Sequence, residues 1–299
     1  MFQAAIPFPD ISPEIFSIRI GTYAFALRWY AVAYIAALLI GWWGMTRLMR
    51  VPRLWPGQQP PMSPAQPEEL LSWIILGVVL SGRLGYVLFY QPGYYLTHLH
   101  EIPMIWHGGM SFHGGALGVV VATLGYCWKN GVPALGVFDA LAMVAPQGLL
   151  LGRLANFVNG ELWGRPTTAP WGVIFPGAQA CGPGWPMPCA RHPSQIYEAG
   201  LEGLVLGLLI WWLATRRGGL KVPGQITGVF IAGYGAARMF VENFRQADAQ
   251  FIGPGNPWGH ILRLGTGPDA WGLTMGQLLS APMLLVGLAL VFFARWRAS

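Results

Sequence analysis

Apolar runs close to the ~20 residues needed to cross a bilayer recur along this chain. They cover residues 23–46, 70–90, 114–128, 132–152, 199–215, 222–241 and 272–294, and none holds more than one charged side chain. Of the 299 residues, 54% are hydrophobic and 10% are charged, against roughly 25% charged in ordinary globular chains. So little polar surface cannot solvate a water-soluble body, which excludes a typical cytosolic enzyme and a disordered chain. The net charge of +6 comes without a dense Lys/Arg run, so it is not a phosphate-backbone footprint and no nucleic-acid partner is expected. The expected fold is an all-α membrane protein. It is a bundle of seven transmembrane helices with a small outward-facing head loop, forming one integral domain over residues 1–299.

Sidedness follows from the Lys and Arg content of alternating loops. One set holds Arg47, Arg50, Arg53, Lys129, Arg216, Arg217, Lys221, Arg295 and Arg297; the other holds Arg19, Arg165, Arg191, Arg245 and Arg263. The richer set is expected inside, which puts the N-terminus outside and the C-terminus in the cytoplasm. Asp10 and Glu14 precede the first run where a signal peptide would carry positive charge, so that span is expected to be retained. The longest connection, residues 158–192, is rich in Pro, Gly and Trp and falls outside as a head segment, where long loops are often functional. Cys181 and Cys189 both lie in it, and an oxidising compartment would allow them to pair or leave them free. Cys127 sits in an apolar run and reads as core. No CxxC and no His pair at ligand spacing is present, so no metal is expected.

Ionisable residues inside spans are costly, roughly 2.5–3.5 kcal/mol at mid-bilayer by insertion scales, and usually face a bundle interior or a wet cavity. The densest cluster is GRLANFVNGELWGR, residues 152–165, with Arg153, Asn156, Asn159, Glu161 and Gly164. A lone arginine there would snorkel to the interface. This density reads instead as a polar pocket for an anionic head group. A second cluster, Tyr234, Arg238, Glu242 and Arg245, falls within roughly 80° on one helix face. Arg238 and Glu242 either neutralise each other as an i,i+4 pair, or Glu242 orients Arg238 toward a substrate phosphate. HGGMSFHGG (107–115) brings paired glycines, which let backbone approach a ligand, and His113, either a packing residue or a general base. RHPSQIYE (191–198) adds His192 at a helix start, structural or substrate-orienting. Arg28 with Tyr30, and Arg83 with Tyr86 and Tyr90, are ambiguous between interfacial anchors and site residues.

These segments resemble the prolipoprotein diacylglyceryl transferase family. GRLANFVNGELWGR, GGMSFHGG, RHPSQIYE, GYGAARMFVENFRQADAQ and the Arg-Trp-Tyr of residues 28–30 occur in the family's order. Ala31, Ala155 and Ala247 depart from its usual residues. The resemblance implies a seven-helix enzyme of the bacterial inner membrane. It would move the diacylglyceryl group of phosphatidylglycerol to the lipobox cysteine of a prolipoprotein signal peptide, forming a thioether and releasing glycerol 1-phosphate. It further implies that Arg153 and Arg238 hold the phosphoglycerol and that Glu242 orients Arg238. Asn156, Glu161 and Gly164 would shape the pocket, Tyr30 line the lipid site, and His113 act as base, with Arg238 or water as alternative promoters of thiol ionisation. His192, Tyr234 and Arg245 complete the expected substrate-binding set, and no cofactor is implied.

The chemistry agrees with those residue types. A free thiol is only a few per cent thiolate at neutral pH and needs a base or cation nearby. The leaving group gains negative charge, which preorganised arginines in a low-dielectric site stabilise. Two rival classes stay open at this point, a membrane transporter and a non-catalytic lipid-binding scaffold. A metal-dependent phosphotransferase would want clustered aspartates, whereas Asp10, Asp139, Asp248 and Asp269 are scattered.

Overall fold

The computed structural model describes residues 5–21, 23–177, 181, 188–267 and 270–298. Asp269 and the stretches 178–180 and 182–187 of the expected head segment lie outside them. The long helices, in chain order, are α1 (Trp29–Met49), α2 (Gln66–Phe89), α3 (Phe112–Asn130), α4 (Ala134–Val158), α5 (Ser194–Arg216), α6 (Gln225–Val241) and α7 (Met275–Ala298). Five of them, α1, α2, α4, α5 and α7, are long and apolar enough to cross a membrane. Of the other two, α3 has 19 residues diluted by four glycines, Lys129 and Asn130, and α6 has 17 residues. Large side chains such as Ile35, Leu39, Leu285 and Phe292 are more than half exposed. A surface of that kind suits lipid tails and would aggregate in water.

The helices begin and end where backbone groups find partners. Ser111 caps α3, its Oγ accepting from the Gly114 amide at 3.1 Å, and the helix closes on Gly131 in the left-handed region. Asp139, wholly buried in α4, accepts from the Gly224 and Thr227 amides and the Thr227 hydroxyl, each at 2.7 Å. It thus caps the start of α6 as a side chain does in a soluble N-cap. Thr274 and Gln277 form a reciprocal capping box at α7, amide to side chain in both directions.

Pairs α2/α3, α1/α4 and α6/α7 make the closest helix contacts. Gly114 lies directly against Ser81 and Gly82 of α2, where any side chain would collide with their backbone. Gly114 thus serves helix packing, whereas a Cβ on Gly108 would meet open space. The largest buried apolar cluster, including Met49, Trp55, Tyr126, Ile210 and Ile226, gathers where α1 and α5 end and α6 begins.

The body is mostly helical, as expected of an all-α membrane protein, and carries short strands at its edges. Among the described residues there are three two-stranded sheets: β1 (Ile6–Pro7) parallel to β4 (Val173–Ile174), and the antiparallel hairpins β2 (Glu14–Ile20)/β3 (Tyr23–Arg28) and β5 (His260–Leu264)/β6 (Trp271–Thr274). The first apolar run therefore divides, its opening six residues pairing with the preceding strand instead of starting α1. Arg28 pairs with Glu14 at 3.2 Å on that hairpin. Arg83, only 4% exposed, donates to the backbone carbonyls of Glu101, Ile102, Gly108 and Gly109. It clamps the α2–α3 loop.

Candidate active site

The polar residues expected in spans converge where α4 and α6 finish and α5 begins. Arg153 comes from the last turns of α4, Arg238 from those of α6, and Arg245 follows α6 directly. All three reach one carboxylate. Glu198 Oε2 meets Arg153 Nε at 2.6 Å, and Oε1 meets Arg238 and Arg245 at 2.9 Å each. Glu242 pairs with Arg238 at 3.1 Å and approaches Arg245 at 3.7 Å. Its other oxygen accepts from the Thr274 hydroxyl at 3.2 Å, next to the start of α7, whose dipole favours a negative charge. The i,i+4 contact between Arg238 and Glu242 is therefore one edge of a network and not an isolated pair.

Glu198 and Glu202 were not anticipated as site residues. They are 1% and 0% exposed and sit at and within a π-helical turn, Ala199–Val205, inside α5; such turns occur frequently at functional sites. Among the described residues Glu202 forms one ion pair, with Arg153 at 3.6 Å, and neither of its oxygens accepts a hydrogen bond. The phenol of Tyr234 lies in the field of Glu202, Arg153, Arg238 and Glu198. The available signal was two carboxylates one turn apart in an apolar run (YEAGLEG), which demand cations from another helix.

A second bed adjoins this cluster. Asn156, buried at the end of α4, donates to Glu161 Oε1 at 2.8 Å, and Asn159 does so at 3.4 Å. Gln195, 1% exposed on α5, donates to the Glu161 carbonyl at 2.5 Å. Tyr30 bonds Tyr34 hydroxyl to hydroxyl at 3.1 Å and lies within reach of Asn156 and Glu161. Leu162 next to them holds φ at 57°, a conformation costly for a non-glycine residue, with its carbonyl fixed by the Ser194 hydroxyl at 3.0 Å.

Three strands of chain are tied together over the cluster. The Gly164 amide donates to the His192 carbonyl, His192 to Arg165, and Arg165 to Phe244, at 2.8, 3.0 and 2.8 Å. A Cβ on Gly164 would fall 2.7 Å from the His192 Cβ, so only glycine allows this approach. Arg165 donates to the Arg245 carbonyl at 2.8 Å and stacks over Trp258. Burial lowers its guanidinium affinity for the proton, with Glu242 acting the other way. His192 packs on Phe244 and shares its Nδ1 with the Tyr197 hydroxyl at 3.0 Å. That hydroxyl also accepts from Trp171 at 2.8 Å, so Trp171, Tyr197 and His192 form one hydrogen-bonded chain. Burial, followed by the Arg165 charge, holds His192 below its ordinary range. Cys181 and Cys189 are joined as a disulfide in this head region.

The sequence profile of the family described as Prolipoprotein diacylglyceryl transferase matches residues 15–293. The chain belongs to the prolipoprotein diacylglyceryl transferase family. It is 59% identical over 295 residues to the phosphatidylglycerol–prolipoprotein diacylglyceryl transferase of Ruegeria pomeroyi, covering 98% of each chain. The enzyme so named in Roseobacter denitrificans is 56% identical, with 99% of this chain and all of that one covered. That of Rhizobium meliloti is 44% identical over 99% of this chain and 96% of its own. Within this diacylglyceryl transferase fold, the structure brings together Arg153, Arg238, Glu242, Arg245 and Tyr234, and beside them Tyr30, Asn156, Glu161, Gly164 and His192. His113 stands apart: it is exposed in the first turn of α3 with its ring against Phe112. Among the described residues, no hydrogen bond or ion pair ties it to the guanidinium cluster.

Proposed function

We infer that this chain is a transferase that moves the diacylglyceryl group of phosphatidylglycerol to prolipoproteins, working within a membrane. Family membership over nearly the full chain supports it and does not favour the transporter or scaffold readings. The observation that carries the catalytic assignment is the convergence of Arg153, Arg238 and Arg245 on Glu198. Three guanidinium groups in a low-dielectric site would repel one another; Glu198 and Glu242 hold them together. Each guanidinium has five N–H donors, and those not spent on carboxylates are available to a phosphate.

The substrate phosphodiester binds at Arg153 and Arg238, with the glycerol head over Asn156, Glu161 and the Gly164 turn. Tyr30 and Tyr234 border the diacylglyceryl moiety, and His192 and Arg245 brace the pocket. The lipobox cysteine attacks as thiolate the glyceryl carbon bearing the phosphate ester. A carbon–sulfur bond forms, the carbon–oxygen bond breaks, and its electron pair leaves with glycerol 1-phosphate. The arginines stabilise that increase in negative charge, the form of catalysis that is usually the largest single contribution. Glu198 is occupied by its three ion pairs, and the thiol proton goes to His113 or through Arg238 and water. No enzyme nucleophile takes part: Cys127 is buried elsewhere and Cys181 and Cys189 are paired.

The architecture proposed for this work has α3 and α6 crossing the bilayer with the other five helices, as one integral domain over residues 1–299. The N-terminus and the 158–192 head segment face the periplasm and the C-terminus the cytoplasm of a bacterial inner membrane. The positive-inside distribution supports this placement. The deciding experiment uses purified protein in liposomes with phosphatidylglycerol and a lipobox peptide. A diacylglyceryl adduct on the peptide thiol together with released glycerol phosphate is the expected result. Lipid binding without either product would overturn the reading, as would a glyceryl group trapped covalently on the protein.

A further inference from the structure

A cavity of about 930 Å³ lies between α1, α4 and α5 at the other end of the bundle. Arg216 on its rim is 18 residues beyond Glu198 on α5, about 27 Å along the helix, so the cavity is separate from the guanidinium cluster. Four cations line it, Arg47, Arg53, Arg216 and Lys221, with no Asp or Glu among the lining residues. Among the described residues none of the four forms an ion pair. Its remaining wall is largely apolar, including Met143 and Val144 of α4. Two tryptophans, Trp43 and Trp211, line it while remaining 57% and 54% exposed.

Sidedness alone explains why these loops carry Lys and Arg. It does not explain why side chains from α1, the loop after it, and the end of α5 with its following turn surround one apolar floor. Arg50 and Arg217 belong to the same segments and do not line the cavity. Anionic phospholipid suits this arrangement: a phosphate for the cations, acyl chains for the tryptophans and the floor. Arg47 stacks over the Trp43 ring, and a soluble anion would leave the apolar wall and the exposed Trp211 uncovered.

We propose that this cavity binds an anionic phospholipid from the leaflet opposite the reaction. Arg47, Arg53, Arg216 and Lys221 hold its phosphate, and its acyl chains run along Trp43 and Trp211. The proposal requires that α1, α4 and α5 cross a bilayer and is independent of which residues catalyse transfer.

The test uses the full chain in phosphatidylcholine nanodiscs carrying a photoreactive phosphatidylserine, with crosslinked peptides mapped by mass spectrometry. Label is expected in residues 43–54 and 211–221, displaced by unlabelled phosphatidylserine and not by phosphatidylcholine. Each cation near a membrane surface contributes about a fivefold factor in anionic-lipid binding. Arg47→Gln/Arg216→Gln/Lys221→Gln should thus lower labelling there by on the order of a hundredfold, whereas Arg50→Gln/Arg217→Gln, outside the cavity, should lower it far less. Equal labelling in wild type and triple variant would overturn the proposal. Displacement in the wild type by phosphatidylcholine, or by inorganic phosphate as well as by phosphatidylserine, would overturn it without any variant having to fold.

Discussion

Arg153 and Glu198 meet at 2.6 Å between α4 and α5, and the same carboxylate receives Arg238 and Arg245 from α6 and its end. Removing Arg153 therefore deletes a proposed phosphate ligand and leaves Glu198 and Glu202 short of a counter-charge. Arg153→Ala is expected to lower transfer by at least about a hundredfold, the range seen when a preorganised electrostatic donor is lost. Arg153→Lys should recover little of it, because a compact ammonium cannot span Glu198 and Glu202 as a planar fork does. The liposome assay on variants that still purify as folded protein checks both; near-full activity in Arg153→Ala would remove the phosphate-site assignment.

The two buried glutamates should respond differently to neutralisation. Glu198→Gln leaves three guanidinium groups without their shared partner, and breaking a buried pair of this kind costs about 3–5 kcal/mol. Among the described residues Glu202 accepts no hydrogen bond and its one ion pair is 3.6 Å long, so Glu202→Gln sheds a buried charge at little cost. Thermal unfolding in detergent is expected to fall sharply for Glu198→Gln and to hold or rise for Glu202→Gln. A comparable loss in both would mean that Glu202 is held by something other than Arg153.

Parts of this site were legible in the sequence because their geometry is local. Tyr234, Arg238 and Glu242 are readable by their spacing of four, although α6 ends at Val241 and Arg245 lies beyond it, and Arg153 and Asn156 follow about one turn apart. What closes the network is not local: Glu198 and Glu202 come from another helix, and nothing in their own spacing says which arginines they meet. The same limit applies to the fold. Apolar runs locate the helices to within a few residues, but residues 23–28 are as apolar as a span and still become a strand, because residues 14–20 are available to pair with them. Gly114 shows the converse: a glycine pair reads alike whether it admits a ligand or another helix, and here α2 occupies the space.

Gly164 tests the strapping over the cluster. Its amide bonds His192 and its Cα faces the Phe244 and His192 backbones too closely for any side chain. Gly164→Ala must push the 190–192 and 244–246 segments apart, moving Arg245 with them. Transfer is expected to fall by at least tenfold, about 1.4 kcal/mol or more of barrier, with helix content by circular dichroism unchanged. Full activity in this variant would show that the strap has room to yield.

His192 supplies a pH signature. Burial and Arg165 hold its imidazole below the ordinary value of 6.5, so the unfolded chain binds a proton at higher pH than the folded one. Stability contributed by neutral His192 is then fully present above about pH 6.5 and is lost as pH falls through the lower folded value. His260 is also held low by burial, with its bond to the Ala270 carbonyl opposing, and adds in the same direction from the β5–β6 hairpin. The melting temperature should be level from about pH 8 to 7 and decline below about 6.5. His192→Gln should start lower, having lost the Tyr197 bond, and decline less steeply. If its slope matched that of the unaltered chain, the acid sensitivity would belong to other groups.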